Sequence, residues 1–324
     1  MINLFENFKD IDVKDQIIAK KSDLEKVLEI EEEIVTFYKE NNRFSYPFIY
    51  KIMQKKLADI TVTSTLLQTY IDARENKDLT HESILRGMYS GALLEIICTT
   101  QPDTITIIDG KNKTFNYLFY LVHNVNNLLL KNIKGDCILR LAGANKGSAR
   151  YITLYNITGT STLLAAGKNK GIAEYITLNK IMGDWTLGET GQDGGIAQNI
   201  TINNIKGDYA LNSAGRYGGI AQNLTLNNVR GKYILEFAGF VKGTAQKILL
   251  RKVNKKGTLE RAGEQGGSAQ QILRENEFSK EQKIIFSEIQ KIVKKIHTLP
   301  AEKYKTAHDK IAWLQKEIFT GEEK

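Results

Sequence analysis

Apolar and polar positions change their rhythm twice along the 324-residue chain. In the first stretch apolar residues recur at helical spacing. Leu24, Val27, Leu28, Ile30, Ile34 and Val35 form one stripe, opened by a Ser22–Glu25 capping box. "PFIYKIMQKKLADI", "TSTLLQTYIDAR" and "THESILRGMYSGALLEIIC" read as three more helices, the last with Ile84, Leu85, Met88, Tyr89, Ala92 and Ile96 on one side. "DTITIIDG" then starts a strand rhythm in steps of two. Helical steps return near the end. Ser279 and Gln282 open a helix lined by Ile285, Ile289, Ile292 and Ile296. Pro300 starts a second, lined by Tyr304, Ala307, Ile311, Leu314 and Ile318. This hairpin is expected over the last coil or beside it, with a dimerisation or docking arm as the sharper alternative.

The middle rhythm is a repeat. Six copies with a period of 24 residues run from Gly135 to about Leu273. Leu139, Leu163, Leu187, Leu211, Leu235 and Leu259 fill one column. Gly143 and Gly147, with their equivalents, fill two more, and Ala149 heads another. Each copy closes on a strand of the type I/L-T-L-x-N-I/V. A fixed period of this length means a solenoid. A leucine-rich-repeat-like solenoid is the alternative. It needs a second element that tolerates three glycines, and Gly costs about 1 kcal/mol per helix position relative to Ala. The reading is therefore a parallel β-solenoid, a right-handed β-helix of six coils stacked about 4.8 Å apart. Leu139, Ala142, Ala149, Ile152, Leu154 and Ile157 face inward. Thr153, Thr177, Thr201 and Thr225 make an outward ladder, and Asn156, Asn204 and Asn228 make a corner amide stack. Residues 111–134 fit the same register with larger apolar side chains and read as a capping coil. The domains are a helical section 1–100, the solenoid 101–273 and the hairpin 274–324.

Charge sharpens this picture. The chain is net +8, the first 84 residues are net −4, and the repeats 135–273 are net +8 by themselves. That bias hints at an anionic partner. The basic residues stack in columns: Lys206 with Arg230, joined by Arg251, Lys252, Lys255 and Lys256, and separately Lys146 with Lys170. They are candidate contacts to an anion or nucleic acid, or else corner lysines that keep the solenoid in solution. Trp185, Tyr209 and Tyr233 form an aromatic column. Facing outward it would be a platform for sugars or unstacked bases; strand alternation counted back from the leucine column sends it inward. Asp184 and Asp208, like Glu236 and Glu260, lie one coil apart, a spacing that would suit a retaining glycosidase pair. An Asp directly after a corner Gly more often closes a turn.

Other chemistry is thin. Cys98 and Cys137 form no disulfide framework, the four histidines have no metal-ligand spacing, and the glycines form no phosphate loop. No cofactor or metal is expected. The start does not read as a secretory signal and no apolar run spans a bilayer, so a cytoplasmic protein without membrane attachment is expected. Lys, Ile and Asn enrichment suggests a prokaryotic, AT-rich genome.

"GDYALNSAGRYGG" followed by "LTLNNVRG" resembles the glycine-spaced right-handed β-helix at the C-terminus of glutamate synthase large subunits, and the related repeat of formylmethanofuran dehydrogenase. The resemblance covers the repeats only. It implies a structural domain with no catalytic group of its own. The reading is a non-enzymatic scaffold or adaptor presenting a rigid surface to a protein, or to RNA or a ribonucleoprotein through the basic corners. The alternative is a polysaccharide-active or carbohydrate-binding β-helix protein.

Overall fold

A computed structural model describes residues 22–41, 45–75, 78–254 and 256–320. Four helices, α1 (Asp23–Asn41), α2 (Tyr46–Lys56), α3 (Ser64–Ala73) and α4 (His81–Thr100), precede a parallel sheet. Its strands are β1 (Thr106–Asp109), β2 (Asn124–Lys134), β3 (Ser148–Thr158), β4 (Ile172–Met182), β5 (Ile196–Lys206), β6 (Ile220–Arg230), β7 (Thr244–Val253) and β8 (Ser268–Arg274). They lie in sequence order, each paired in parallel with the next. From β2 onward the register advances by one repeat per strand, so Ile152 meets Ile176, and Ile176 meets Ile200. Like residues therefore lie over like, and the chain is a β-solenoid flanked by helices. The column Leu139, Ala142, Ala149, Ile152, Leu154 and Ile157 is buried as the sequence predicts. Leu187 and Leu211 are both buried completely.

Each coil has two walls. The strand wall bends at Tyr151 and Asn156 and at their equivalents, where φ is positive (49° and 56°). Asn tolerates this left-handed backbone better than most residues, and the Asn156 amide donates to Asn132 Oδ1 at 2.8 Å. The other wall, the turn wall, is not a strand. Every second residue has positive φ: Trp185 59°, Leu187 55°, Glu189 55° and Gly191 65°. Their N–H groups point alternately to the following and the preceding coil: Trp185 to Asp208 O, Leu187 to Thr162 O, Glu189 to Asn212 O and Gly191 to Ala166 O. A left-handed L-residue costs roughly 1–2 kcal/mol. Full burial of a Leu returns about 1.5–3 kcal/mol, and each such N–H gains a partner. Glycine is required at Gly143, where φ is 67° and a Cβ would lie 2.5 Å from the Ala149 nitrogen.

The C-terminal helices α5 (Lys280–Lys295) and α6 (Ala301–Thr320) pack beside the solenoid, against the strand wall. Both expected starts are present: the Ser279–Gln282 capping box opens α5, and Pro300 directly precedes α6. The threonine ladder points out of the coil, yet Thr153, Thr177, Thr201 and Thr225 are at most 1% exposed because α6 covers them. His308 Nε2 and Nδ1 lie 3.1 and 3.4 Å from the Thr153 and Thr177 hydroxyls. Gln315, two helical turns on, donates to Thr201 and Thr225 at 3.2 and 2.9 Å. Tyr304 donates to Leu128 O at 2.6 Å. Leu129 and Leu249 continue the ladder at either end and join the apolar cluster of the hairpin. Of the placements expected for the hairpin, over the last coil or beside it, the structure shows packing beside the coils, along β4 to β6.

Candidate functional site

Where α5 runs along the ends of the strands, a polar cleft of about 390 Å3 opens between helix and solenoid. Its floor is built by the repeat. Asn179, Asn203 and Asn227 occupy one register position on β4, β5 and β6. Asn203 donates to Asn179 Oδ1 at 2.9 Å and Asn227 to Asn203 Oδ1 at 2.6 Å. Beside them, Asn228 donates to Asn204 Oδ1 at 2.6 Å. Each amide thus gives its hydrogens to the coil before and takes from the coil after. The next positions in the two columns are not amides but Arg251 and Lys252. The ladder is therefore left open. Asn227 Oδ1 is buried with no donor and Gln290 Nε2 with no acceptor, while Gln290 Oε1 accepts from Asn227 at 2.8 Å.

Cations ring this opening. Arg230, at the end of β6, and Lys252 line the cleft from the solenoid, and Lys294 lines it from α5. Arg251 is committed elsewhere: its Nε meets Glu275 at 2.9 Å and its guanidinium lies 5.5 Å from the Phe286 ring centre. No carboxylate of the described residues reaches Arg230, Lys252 or Lys294 within ion-pair distance. Lys206 pairs in register with Arg230, one coil back on the same edge. Of the basic residues singled out in the sequence, the structure therefore gathers Lys206, Arg230, Arg251 and Lys252. Lys146 and Lys170 sit at the opposite ends of the strands, before β3 and β4. The exposed Lys256 lies on the turn wall, its carbonyl accepting from Tyr233 N at 3.3 Å, and Lys255 lies outside the described residues. Gln290 and Lys294 were not anticipated, since helical periodicity does not say which strand edge a helix meets.

The aromatic column faces solvent, not the core. Trp185 is exposed, and Tyr209 and Tyr233 are half-buried. Strand alternation fails here because the segment is the turn wall, where Thr186 and Leu187 are buried consecutively. The rings stack on one another with centroids 4.5 and 5.0 Å apart and planes within 13°. Both faces of Tyr209 are covered by its neighbours, so the column shows solvent mainly ring edges.

The carboxylate columns hold the coils together. Asp184 Oδ1 accepts the Asp208 N–H and Asp208 Oδ1 the Lys232 N–H, both at 2.8 Å. Glu236 accepts from Asn212 at 3.0 Å. Partial burial, with the charge of Glu260 added, holds the Glu236 carboxyl above the usual carboxylate range. Among the described residues no group of three metal-ligating side chains comes together, and no helix is long and apolar enough to cross a membrane. Comparisons with protein families, curated proteins and solved structures gave no match.

Proposed function

We propose that the protein is a non-enzymatic scaffold whose basic strand edge docks an anionic macromolecule, RNA or the RNA of a ribonucleoprotein. The observation that carries this reading is the set of cations without carboxylate partners among the described residues, Arg230, Lys252 and Lys294, around an amide ladder. Cations of this kind bind phosphates by releasing counterions, and neighbouring amides can bond to sugar hydroxyls or base edges. The hydrogen bonds between coils make the surface rigid, so little ordering entropy opposes binding. The likeness of the coil to structural β-helices that carry no catalytic group agrees with a scaffold. The sugar-binding alternative draws less support, because the aromatic rings cover each other and Asp184 and Asp208 accept backbone N–H groups.

A filter-binding titration with single-stranded RNA over a salt series tests this. Retention at low salt is expected to fall steeply as salt rises. Arg230→Glu with Lys252→Glu is expected to weaken binding and to flatten the slope of log K against log salt by about 0.7 for each phosphate that is no longer neutralised. No retention at low salt, or retention indifferent to both substitutions, overturns the reading.

A further inference from the structure

The two ends of the solenoid are finished differently. At the first, α4 and its neighbours supply a partner to one backbone group after another around the coil. Phe119 N donates to Ser90 Oγ at 3.0 Å and Tyr120 N to Gly87 O at 3.1 Å. His123 N donates to the buried Glu95 at 3.1 Å, and Asn126 N to Cys98 Sγ at 3.3 Å. Strand β1 covers Leu128 to Lys131. A Cβ on Gly87 would fall 2.2 Å from Tyr117 O, which shows how closely the helix is seated.

Among the described residues nothing of the kind covers the last coil. In the preceding coils, Phe237 N donates forward to Glu260 O and Val241 N to Glu264 O. Among the described residues their equivalents, Arg261 and Gln265, have no coil to donate to, and strand β8 pairs only with β7. The core is less well covered as well: Leu235, Ala238, Ala245 and Ile248 are 0% exposed, while Leu259, Ala262, Ala269 and Ile272 are only partly buried. Unpaired edges of this sort are templates for association.

We propose that this end pairs with the same end of a second copy, making a tail-to-tail dimer about a two-fold axis. The open surface is a whole cross-section: a strand edge, a turn wall with left-handed residues at Arg261 and Gln265 (φ 60° and 54°), and an apolar slot between them. A lone strand from another protein would cover only β8. Another coil of this repeat has strand, turn wall and slot at matching positions. Charge agrees. Residues 233–256 hold six bases and one acid, whereas 257–274 hold two of each, Arg261 and Arg274 with Glu260 and Glu264. The end coil is thus neutral and mixed in sign within a basic rod, so self-repulsion does not oppose contact between two copies. The sealed first end cannot accept a last coil, so growth stops at two, a closed isologous pair. This goes beyond the binding reading above and does not depend on it.

Sedimentation velocity of the full chain over a concentration series tests the proposal. The mass is expected to rise from one 36.5 kDa chain towards twice that value. Gln265→Glu with Gln271→Glu changes two exposed positions of the last coil and sets like charges against their symmetry mates. Dimerisation is expected to weaken about tenfold or more at low salt and to recover as salt screens the repulsion. Amide exchange at Arg261 and Gln265 is expected to be slow in the dimer and to quicken on dilution. A chain that stays monomeric at every concentration overturns the proposal. So does a dimer that survives the end substitutions but is lost on replacing Ile284 and Trp313, the exposed apolar residues of the hairpin, by Glu.

Discussion

The strand wall and the turn wall are made by the same repeat, and both carry columns that point away from the core. On the strand wall the column is threonine, and it is dry beneath α6. On the turn wall it is Trp185, Tyr209 and Tyr233, and it stands partly in solvent. Hydrophobicity alone would assign the walls the other way round. The difference lies in what each wall offers a partner. Thr hydroxyls spaced one coil apart match His308 and Gln315 two turns apart on a helix. The turn wall buries its leucines inward and turns outward a column of rings that stack on one another, with Trp185 left exposed.

The sharpest way to break this comparison is to strike one substitution on each wall. Gly215 on the turn wall has φ of 66°, and a Cβ there would lie 2.6 Å from the Ala221 nitrogen. Gly215→Val is expected to cost more than about 4 kcal/mol, or to prevent folding. Each coil pairs only with its neighbours, so the damage spreads both ways. Thr225→Ser on the strand wall keeps the hydroxyl that accepts from Gln315 and loses a buried methyl, about 1 kcal/mol. Thermal melts of the two variants check this; equal midpoints would remove the distinction between the walls.

Much of the coil is legible in the sequence. The period, the buried leucine column, the corner glycines, the amide stack and both flanking helical sections follow from spacing and residue type. The direction of the aromatic column does not. Counting by two from Leu187 assumes extended backbone, and positive φ at alternate residues turns the chain between Trp185 and Leu187. The cleft is legible only in part. Arg230 follows Lys206 by register, and Arg251 and Lys252 follow Asn227 and Asn228, which the repeat states. Gln290 and Lys294 join them because α5 docks there, which a helical stripe cannot state. One clue is present: Leu129 and Leu249 stand in the outward threonine column, and outward leucines call for a cover.

The cover itself can be probed by acid. His308 is fully buried, and burial lowers its pKa from 6.5 to about 3. The groups facing it are the Thr153 and Thr177 hydroxyls and the rings of Tyr151 and Tyr304, none of them charged at neutral pH. Below pH 6.5 the unfolded chain takes up a proton that the folded chain refuses. The contribution is thus whole above pH 6.5 and is lost as pH falls towards 3, at about 1.4 kcal/mol per unit. Urea midpoints of the wild type are expected to drop across this window more steeply than those of His308→Gln. Carboxylate effects shared by both proteins cancel in the difference. Parallel curves would mean that the imidazole is reached by solvent and that the strand wall is less dry than its threonines indicate.

The smallest expected effect belongs to the turn-wall corner. Asp208 accepts the Lys232 N–H and gives its own N–H to Asp184, both at 2.8 Å. Asp208→Ala is expected to cost about 1 kcal/mol, the usual net worth of one hydrogen bond. Asp208→Asn keeps an oxygen in the same place and is expected to stay within about 0.5 kcal/mol of the wild type. Chemical denaturation of the three proteins orders them. If Asn is as damaging as Ala, the negative charge and not the acceptor is what the corner uses. The aspartate column would then need a role beyond joining one coil to the next.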